Sequence, residues 1–251
     1  MKIMSFNLLC GGPGHRDWPA RTPLVVRTIY NADPDLLGVQ EAHIGWMHAL
    51  RACLPDYDSV GVGRDDGKEA GEFSAVFYKK DKFELLDSGS FWLSETPEKP
   101  GKGWDAACIR ICSWAKLREK ESGKMLVHLN THLDHRGETA MQKGAELVAT
   151  RGTEIAAGHP AFFTGDFNVT PDSAPYAAVI AGGFKDCSFL AKTTDHGVTF
   201  HDFENPDYDG AVIDYVFCKG DVKVNEFRVI RNTIDGALPS DHYPVIADVE
   251  I

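Results

Sequence analysis

The chain has 251 residues, 43% of them hydrophobic, and carries 26 Lys and Arg against 37 Asp and Glu, a net charge of −11. At this length one domain can bury roughly seven-tenths of its unfolded surface without disulfide staples. The acidic balance counts against a long nucleic acid as partner, since gripping a phosphate backbone requires a basic tract. The nearest candidate, residues 110–124, is interrupted by Glu119 and Glu121.

The first strand is expected over 2–8, followed by a Gly-Gly-Pro-Gly turn at 11–14. A helix follows from Trp18 to Tyr30, with Val25/Ile29 and Val26/Tyr30 one turn apart. Asn31-Ala-Asp-Pro ends it, because the residue before a proline disfavours the helical conformation. Leu36–Gln40 reads as a buried strand, 43–53 as a helix, and 57–63, 73–79, 83–92 and 108–118 as strands. The loop Ser94–Asp105, between the last two, is rich in Pro, Gly and Lys. Lys124–Asn130 is a strand, and 137–157 is the longest helical pattern, with Met141, Ala145, Val148 and Ile155 on one face. Ala161–Gly165, Ala211–Phe217, Val222–Val229 and Tyr243–Glu250 supply the remaining strands. Two mixed sheets packed face to face with flanking helices, in one domain over 1–251, account for this order.

None of the six cysteines forms a C-x-x-C pair, so buried thiols are expected. Cys108 and Cys112 fall on one face of the expected 108–118 strand, too far apart to bridge. No apolar run approaches membrane-spanning length, and Asn7 already belongs to the expected site, leaving no room for a signal peptide. The chain reads as a soluble, monomeric, cytoplasmic protein unless a longer precursor loses a leader.

Several of these strands end in groups that bind metal or move protons, and a strand fixes its terminal side chain better than a loop does. Glu41 follows the Leu36–Gln40 strand, where a carboxylate suits Mg²⁺ or caps the next helix. Asn7 ends the first strand, as an amide sharing the metal or as a turn residue. Asp166 and Asn168 alternate by two and can face one side, to orient water and phosphate; an Asx turn before Thr170-Pro171 is the plainer reading. His132 and His242 suit the two tasks of phosphoester cleavage, stabilising charge and handling a proton. Asp214, in the apolar run Val212–Phe217, must be paired, and His242 is the expected partner. Arg110 is a charge in an apolar strand, for phosphate or for an exposed face. Tyr78 could bond phosphate or fill the core, Trp104 could stack on substrate, and His135 and His201 are placed near the cleft. Residues 201–214 hold Asp202, Glu204, Asp207, Asp209 and Asp214 with no Lys or Arg, an acidity that serves solubility.

These segments, from Ser5-Phe6-Asn7 through Gly165-Asp166-Phe167-Asn168 to Ser240-Asp241-His242, resemble in this order the endonuclease/exonuclease/phosphatase superfamily. The resemblance implies a four-layered α/β sandwich, Mg²⁺ or Mn²⁺ dependence and in-line attack of water on phosphorus. It implies that Glu41 and Asn7 hold the metal with Asp241 near it, and that Asp166 and Asn168 orient nucleophile and phosphate. His242, paired to Asp214, would be the base or transition-state stabiliser, and His132 would touch the scissile phosphate or aid the leaving group. Leu9 stands where abasic-site endonucleases carry a second acid, and Asn130-Thr131-His132 where they have a tyrosine-bearing strand. Both move the chain towards the nocturnin, deadenylase and phosphatase branches. The run Asn130–Glu138 looks like an uncharacterised bacterial group of metal-dependent hydrolases. The expected substrate is a small phosphorylated molecule. A nuclease touching few nucleotides is the first alternative, and an inactive binding module the second, against which the six intact segments count.

Overall fold

The structure, a computed structural model, describes residues 1–12, 14–204 and 209–251; Pro13 of the expected turn and residues 205–208, with Asp207 of the acidic run, lie outside them. In chain order the elements are β1 (Lys2–Asn7), α1 (Trp18–Ala32), β2 (Leu36–Ala42), α2 (Ile44–Cys53), β3 (Tyr57–Val60), β4 (Phe73–Lys79), β5 (Phe83–Trp92), β6 (Ile111–Glu119), β7 (Met125–His132), α3 (Glu138–Ala156), β8 (Ala161–Asp166), α4 (Ala174–Ala181), β9 (Lys185–Asp186), α5 (Cys187–Leu190), β10 (Thr193–Thr194), β11 (Asp214–Lys219), β12 (Lys223–Val229) and β13 (Val245–Glu250). The strands form two mixed sheets, β10-β12-β13-β1-β2-β4-β3 and β5-β6-β7-β8-β11-β9. Helices α1 and α2 pack on the outer face of the first through Val25, Ile29, Trp46 and Leu50. Helix α3 covers the second through Ala145, Val148 and Ala149. The result is the expected four-layered α/β sandwich.

Period-two alternation turns every second residue of the central strands into the space between the sheets. At one end of that space Ile3, Leu36, Leu126, Phe162 and Cys218 make an apolar core. The next layer is polar and fully buried. Gln40 Nε2 donates to Ser5 Oγ (3.1 Å) and to Asn130 Oδ1 (2.7 Å), and Thr164 Oγ1 donates to the same Asn130 oxygen (3.0 Å). His128 Nε2 lies 2.8 Å from Thr164 Oγ1, and burial pushes its imidazole down to about 3, so it is a neutral donor. Asn130 Nδ2 bonds the carbonyls of Val39 and Ala75 in the opposite sheet. Gly38 is required here, since a Cβ on it would sit 2.1 Å from Thr164 Oγ1. This layer fixes the register of the two sheets, and the layer beyond it is the site.

Three expectations need correction. The 108–118 strand begins only at Ile111, so Cys108 and Arg110 belong to the loop before it. The buried stripe of α3 is Ala140, Gly144, Ala145, Val148, Ala149, Gly152 and Ala156; small residues let the helix lie close to its sheet and leave Met141 and Ile155 half-buried at its edge. Helix α4, unforeseen, starts at Ser173, whose side chain accepts from Tyr176 N (3.4 Å), and is too short and too evenly apolar to show a period. The six cysteines are free. Among the described residues no helix is long and apolar enough to cross a membrane.

Candidate active site

Parallel pairing sets Asn7 beside Gln40 and His132 beside Asp166, and antiparallel pairing sets Asp214 beside Asp166. Asn7, His132, Asp166 and Asp214 thereby reach one end of the sandwich above buried Gln40, and the turn into β13 adds Asp241 and His242. Two backbone distortions aim the rest. Glu41 has φ +59° at an irregularity between Val39 and Ala42, and Asn168 has φ +54°. Left-handed non-glycine backbone costs about 1 kcal/mol or more per residue and persists where the surroundings impose it. Asp166 Oδ1 accepts from Asn168 N (2.9 Å), so the Asx turn is present and serves the site by leaving Oδ2 facing inward. The helix-cap reading of Glu41 fails, because His43 Nδ1 caps α2 by accepting from Gly45 N (3.0 Å).

Asn7 Nδ2 donates to Asp166 Oδ2 (2.8 Å) and to Glu41 Oε1 (3.1 Å), while Cys10 N donates to Glu41 Oε2 (2.9 Å). Asn7 Oδ1 is taken by Leu9 N (2.9 Å), where Leu9 has φ +55°. In this arrangement the Asn7 amide presents nitrogen to the two carboxylates and holds them around a common point. Glu41, His132 and Asp166 bring donor atoms within 4.8 Å of one another. Two carboxylates bordering one point match the hard oxygen donors that Mg²⁺ takes in small number alongside water. Asp241 stands outside that group, with Ser240 Oγ at 3.2 Å and Arg16 Nη1 at 3.8 Å.

His242 Nδ1 lies 2.8 Å from Asp214 Oδ2, the expected pair, and His242 Nε2 lies 3.7 Å from Asp166 Oδ2. Burial alone would lower the His242 imidazole, but Asp214 and Asp166 outweigh it and hold it up at about 10. Burial, with Asp214 beside it, pushes the Asp166 carboxyl up to about 7 against the pull of His242. His132 goes the other way: burial, then the charges of Arg110 and Arg64, drive it well below its ordinary value. His132 is thus neutral and accepts at Nε2 from Asn168 Nδ2 (2.9 Å).

Beyond His132 opens a cavity of about 290 Å³ bordered by Glu41, Arg64, Glu72, Cys108, Arg110, His135 and Asn168. Arg110 is 5% exposed, which removes the exposed-face reading. Its Nη2 lies 3.1 Å from His135 Nδ1 and its Nε 3.6 Å from Asp134, while Nη1 and Nε have no hydrogen-bond partner among the described residues. Asp134 is a loop staple, held down at about 2 by four backbone N–H groups that overcome its burial. Arg64, Glu72 and Cys108 were not anticipated as lining residues. Arg21 was missed as well: its buried guanidinium bonds the carbonyls of Leu8, Leu9 and Pro239 and braces the loops beneath Glu41 and Asp241.

The other three candidates do not reach the cleft. Tyr78 pairs with Leu36 and packs in the inter-sheet core at the far end, because β4 runs antiparallel to β2. Trp104 is half-buried in the 94–110 loop with its N–H on Glu95 (3.1 Å), and it does not line the cavity. His201 stacks on Tyr243 (3.8 Å between rings) and accepts at Nδ1 from Glu204 N (3.0 Å). Burial and the His242 charge lower it to about 4, so it is a neutral brace behind Asp241.

The family model described as Endonuclease/Exonuclease/phosphatase family matches residues 4–242. Among solved structures, an endonuclease/exonuclease/phosphatase from Bacteroides vulgatus is 40% identical, with TM-score 0.95, over 100% of this chain and 98% of that one. A mannosyl-6-phosphatase from Bacteroides thetaiotaomicron is 34% identical, with TM-score 0.92, over the whole of both chains. Among curated proteins, Protein angel of Drosophila melanogaster is 24% identical over 192 residues, 69% of this chain and 54% of that protein. The chain thus spans about half of that relative's length, and about a quarter of a mimivirus relative's.

Proposed function

The chain belongs to the Endonuclease/Exonuclease/phosphatase family, whose members are phosphoric ester hydrolases and generally depend on divalent metal, and from that premise we propose that it is a Mg²⁺-dependent phosphomonoesterase acting on a small sugar phosphate. The observation that carries the reading is Arg110, 5% exposed, with two N–H groups unpartnered in a cavity that also borders Glu41, His132 and Asn168. Buried guanidinium nitrogens left without hydrogen bonds are costly until an acceptor fills the space, and a phosphate oxygen suits them. The cavity, near 290 Å³, lies at the small end of the about 300–1,000 Å³ usual for small-molecule sites. The net charge of −11 disfavours a polymer of phosphates. The name of the 34%-identical neighbour, a mannosyl-6-phosphatase, points to a phosphorylated sugar.

Glu41 would anchor Mg²⁺, which when bound supplies positive charge at the phosphoryl oxygens. Arg110 binds a phosphate oxygen. Asn168 has its Nδ2 committed to His132 and to Leu133 O (3.0 Å), which leaves Oδ1 to accept from the attacking water. Asp166, with a carboxyl near 7, takes the water's proton as the new P–O bond forms and the P–O bond to the sugar breaks; the departing sugar oxygen takes up a proton from solvent, and cationic His242 faces the charge that grows on the phosphoryl group. Asn7 keeps Asp166 and Glu41 in place.

Ester cleavage is to be compared as phosphate released from mannose 6-phosphate and 4-nitrophenyl phosphate, as 4-nitrophenol released from bis(4-nitrophenyl) phosphate and as shortening of a single-stranded oligonucleotide, each with Mg²⁺ and with EDTA. The monoesters should be hydrolysed with Mg²⁺ and the diesters at least about tenfold more slowly, a gap of about 1.4 kcal/mol in barrier. Faster cleavage of a diester or the oligonucleotide would replace this reading with the nuclease one.

A further inference from the structure

Residues 63–72 fold into a tight hairpin that leans over the cavity and brings Arg64 and Glu72 together: Arg64 Nη1 lies 2.6 Å from Glu72 Oε2, and both side chains border the cavity. The hairpin does not need that bond to form. Gly63 N→Lys68 O (2.9 Å), Arg64 N→Glu72 O (3.1 Å) and Asp65 N→Ala70 O (3.0 Å) close it, and Asp66 Oδ1 accepts from Lys68 N and Ala70 N. Trp92 Nε1 donates to Arg64 O (2.6 Å), so the backbone beneath the guanidinium is pinned from β5. The side chains are only 15% and 22% exposed. Among the described residues the buried Arg64 Nε has no hydrogen-bond partner, with Asp65 Oδ1 at 3.9 Å, and the Glu72 carboxylate takes one hydrogen bond, from Arg64.

A donor and an acceptor held side by side at the wall of a polar cavity suit adjacent hydroxyls, because each hydroxyl gives one hydrogen bond and accepts others. The carboxylate also decides against a second anionic group on the substrate, which Glu72 and the nearby Glu41 would repel. Building on the phosphomonoesterase reading, we propose that the Arg64–Glu72 pair determines specificity by binding vicinal hydroxyls of a neutral polyol leaving group, while Arg110 holds the phosphate. Both residues are specificity determinants that act on the leaving group and take no part in the attack on phosphorus.

The test is a ratio: kcat/KM for mannose 6-phosphate divided by kcat/KM for 4-nitrophenyl phosphate, whose leaving group has no vicinal hydroxyls. Taking both rates on one preparation makes the ratio independent of the folded fraction. Glu72→Gln and Arg64→Met should each lower it at least about tenfold, mainly through the KM for the sugar phosphate, and Arg64→Lys should recover part of the loss. An unchanged ratio in both variants would overturn the proposal, as would a wild-type protein that cleaves 4-nitrophenyl phosphate and leaves mannose 6-phosphate intact. A wild-type protein inert towards both esters would instead remove the phosphomonoesterase reading, and this proposal with it.

Discussion

Asp166→Asn is expected to lower Mg²⁺-stimulated phosphate release at least about a hundredfold, because it removes a positioned proton acceptor that water near phosphorus needs. The same change should leave the thermal midpoint at pH 8 undiminished. The wild-type carboxyl is raised from 3.8 unfolded to about 7 folded. Between those values the folded state binds more protons, so stability falls as pH rises through this window, and above pH 7 the full cost of the buried carboxylate charge, larger than that of one neutral hydrogen bond, is present. Asparagine carries no charge and is free of that cost. It does forfeit one hydrogen bond, since its NH₂ must face either the Asn7 amide or the Asn168 N–H, and such a bond is worth about 1 kcal/mol. The gain exceeds the loss, and His242 keeps Asp214 as its partner. Scanning calorimetry at pH 5 and pH 8 separates the two effects: the variant should gain on wild type as pH rises. A midpoint several degrees lower at pH 8 would show that Asp166 is structural.

The largest effect on folding is expected from Gly38→Ala. The added Cβ would lie 2.1 Å from Thr164 Oγ1 and 2.5 Å from Asn130 Oδ1. Neither neighbour is the loose end of a flexible side chain. Thr164 Oγ1 is bonded to His128 and Asn130, and Asn130 is tied to Gln40 and to two carbonyls of the first sheet. Overpacking of a core costs about 1–3 kcal/mol. A buried polar group left without its partner costs about 1–3 kcal/mol more. The sum, about 2–6 kcal/mol, is a large part of an ordinary domain's stability of about 5–15 kcal/mol. Urea unfolding should therefore show a much lower midpoint, and activity should fall, because parting the sheets moves Asn7 and Glu41 away from Asp166 and His132. Adding Thr164→Ala should restore part of the loss by vacating the space. A Gly38→Ala midpoint equal to wild type would mean that the polar layer does not set the spacing of the sheets.

What was legible in the sequence follows from the strand. An apolar run flanked at one end by Asp, Glu, Asn or His announces both the element and a side chain held at its end, so Asp166, Asn168, His132, Asp214, His242 and Glu41 could be named before their meeting was seen. Tyr78 ends a strand too, but β4 runs antiparallel to β2, and chain direction is a property of the sheet. The orientation of the Asn7 amide depends on the left-handed Leu9, which no local pattern marks. Arg64 and Glu72 lie in a polar loop beside Asp65, Asp66, Lys68 and Glu69, where each charge reads as solvated until the hairpin closes over the cavity. The 174–194 segment shows no legible pattern because its helices and strands have between two and eight residues, too few to establish a period.

The central claim is that Glu41 anchors a divalent ion on which hydrolysis depends. The direct measurement is phosphate release from mannose 6-phosphate by EDTA-stripped wild type and Glu41→Gln protein as Mg²⁺ is titrated back. Wild type should recover turnover along a saturable curve, and Glu41→Gln should stay at least about a hundredfold below it at any Mg²⁺ concentration. Undiminished turnover after stripping, or equal recovery in the variant, would contradict the account.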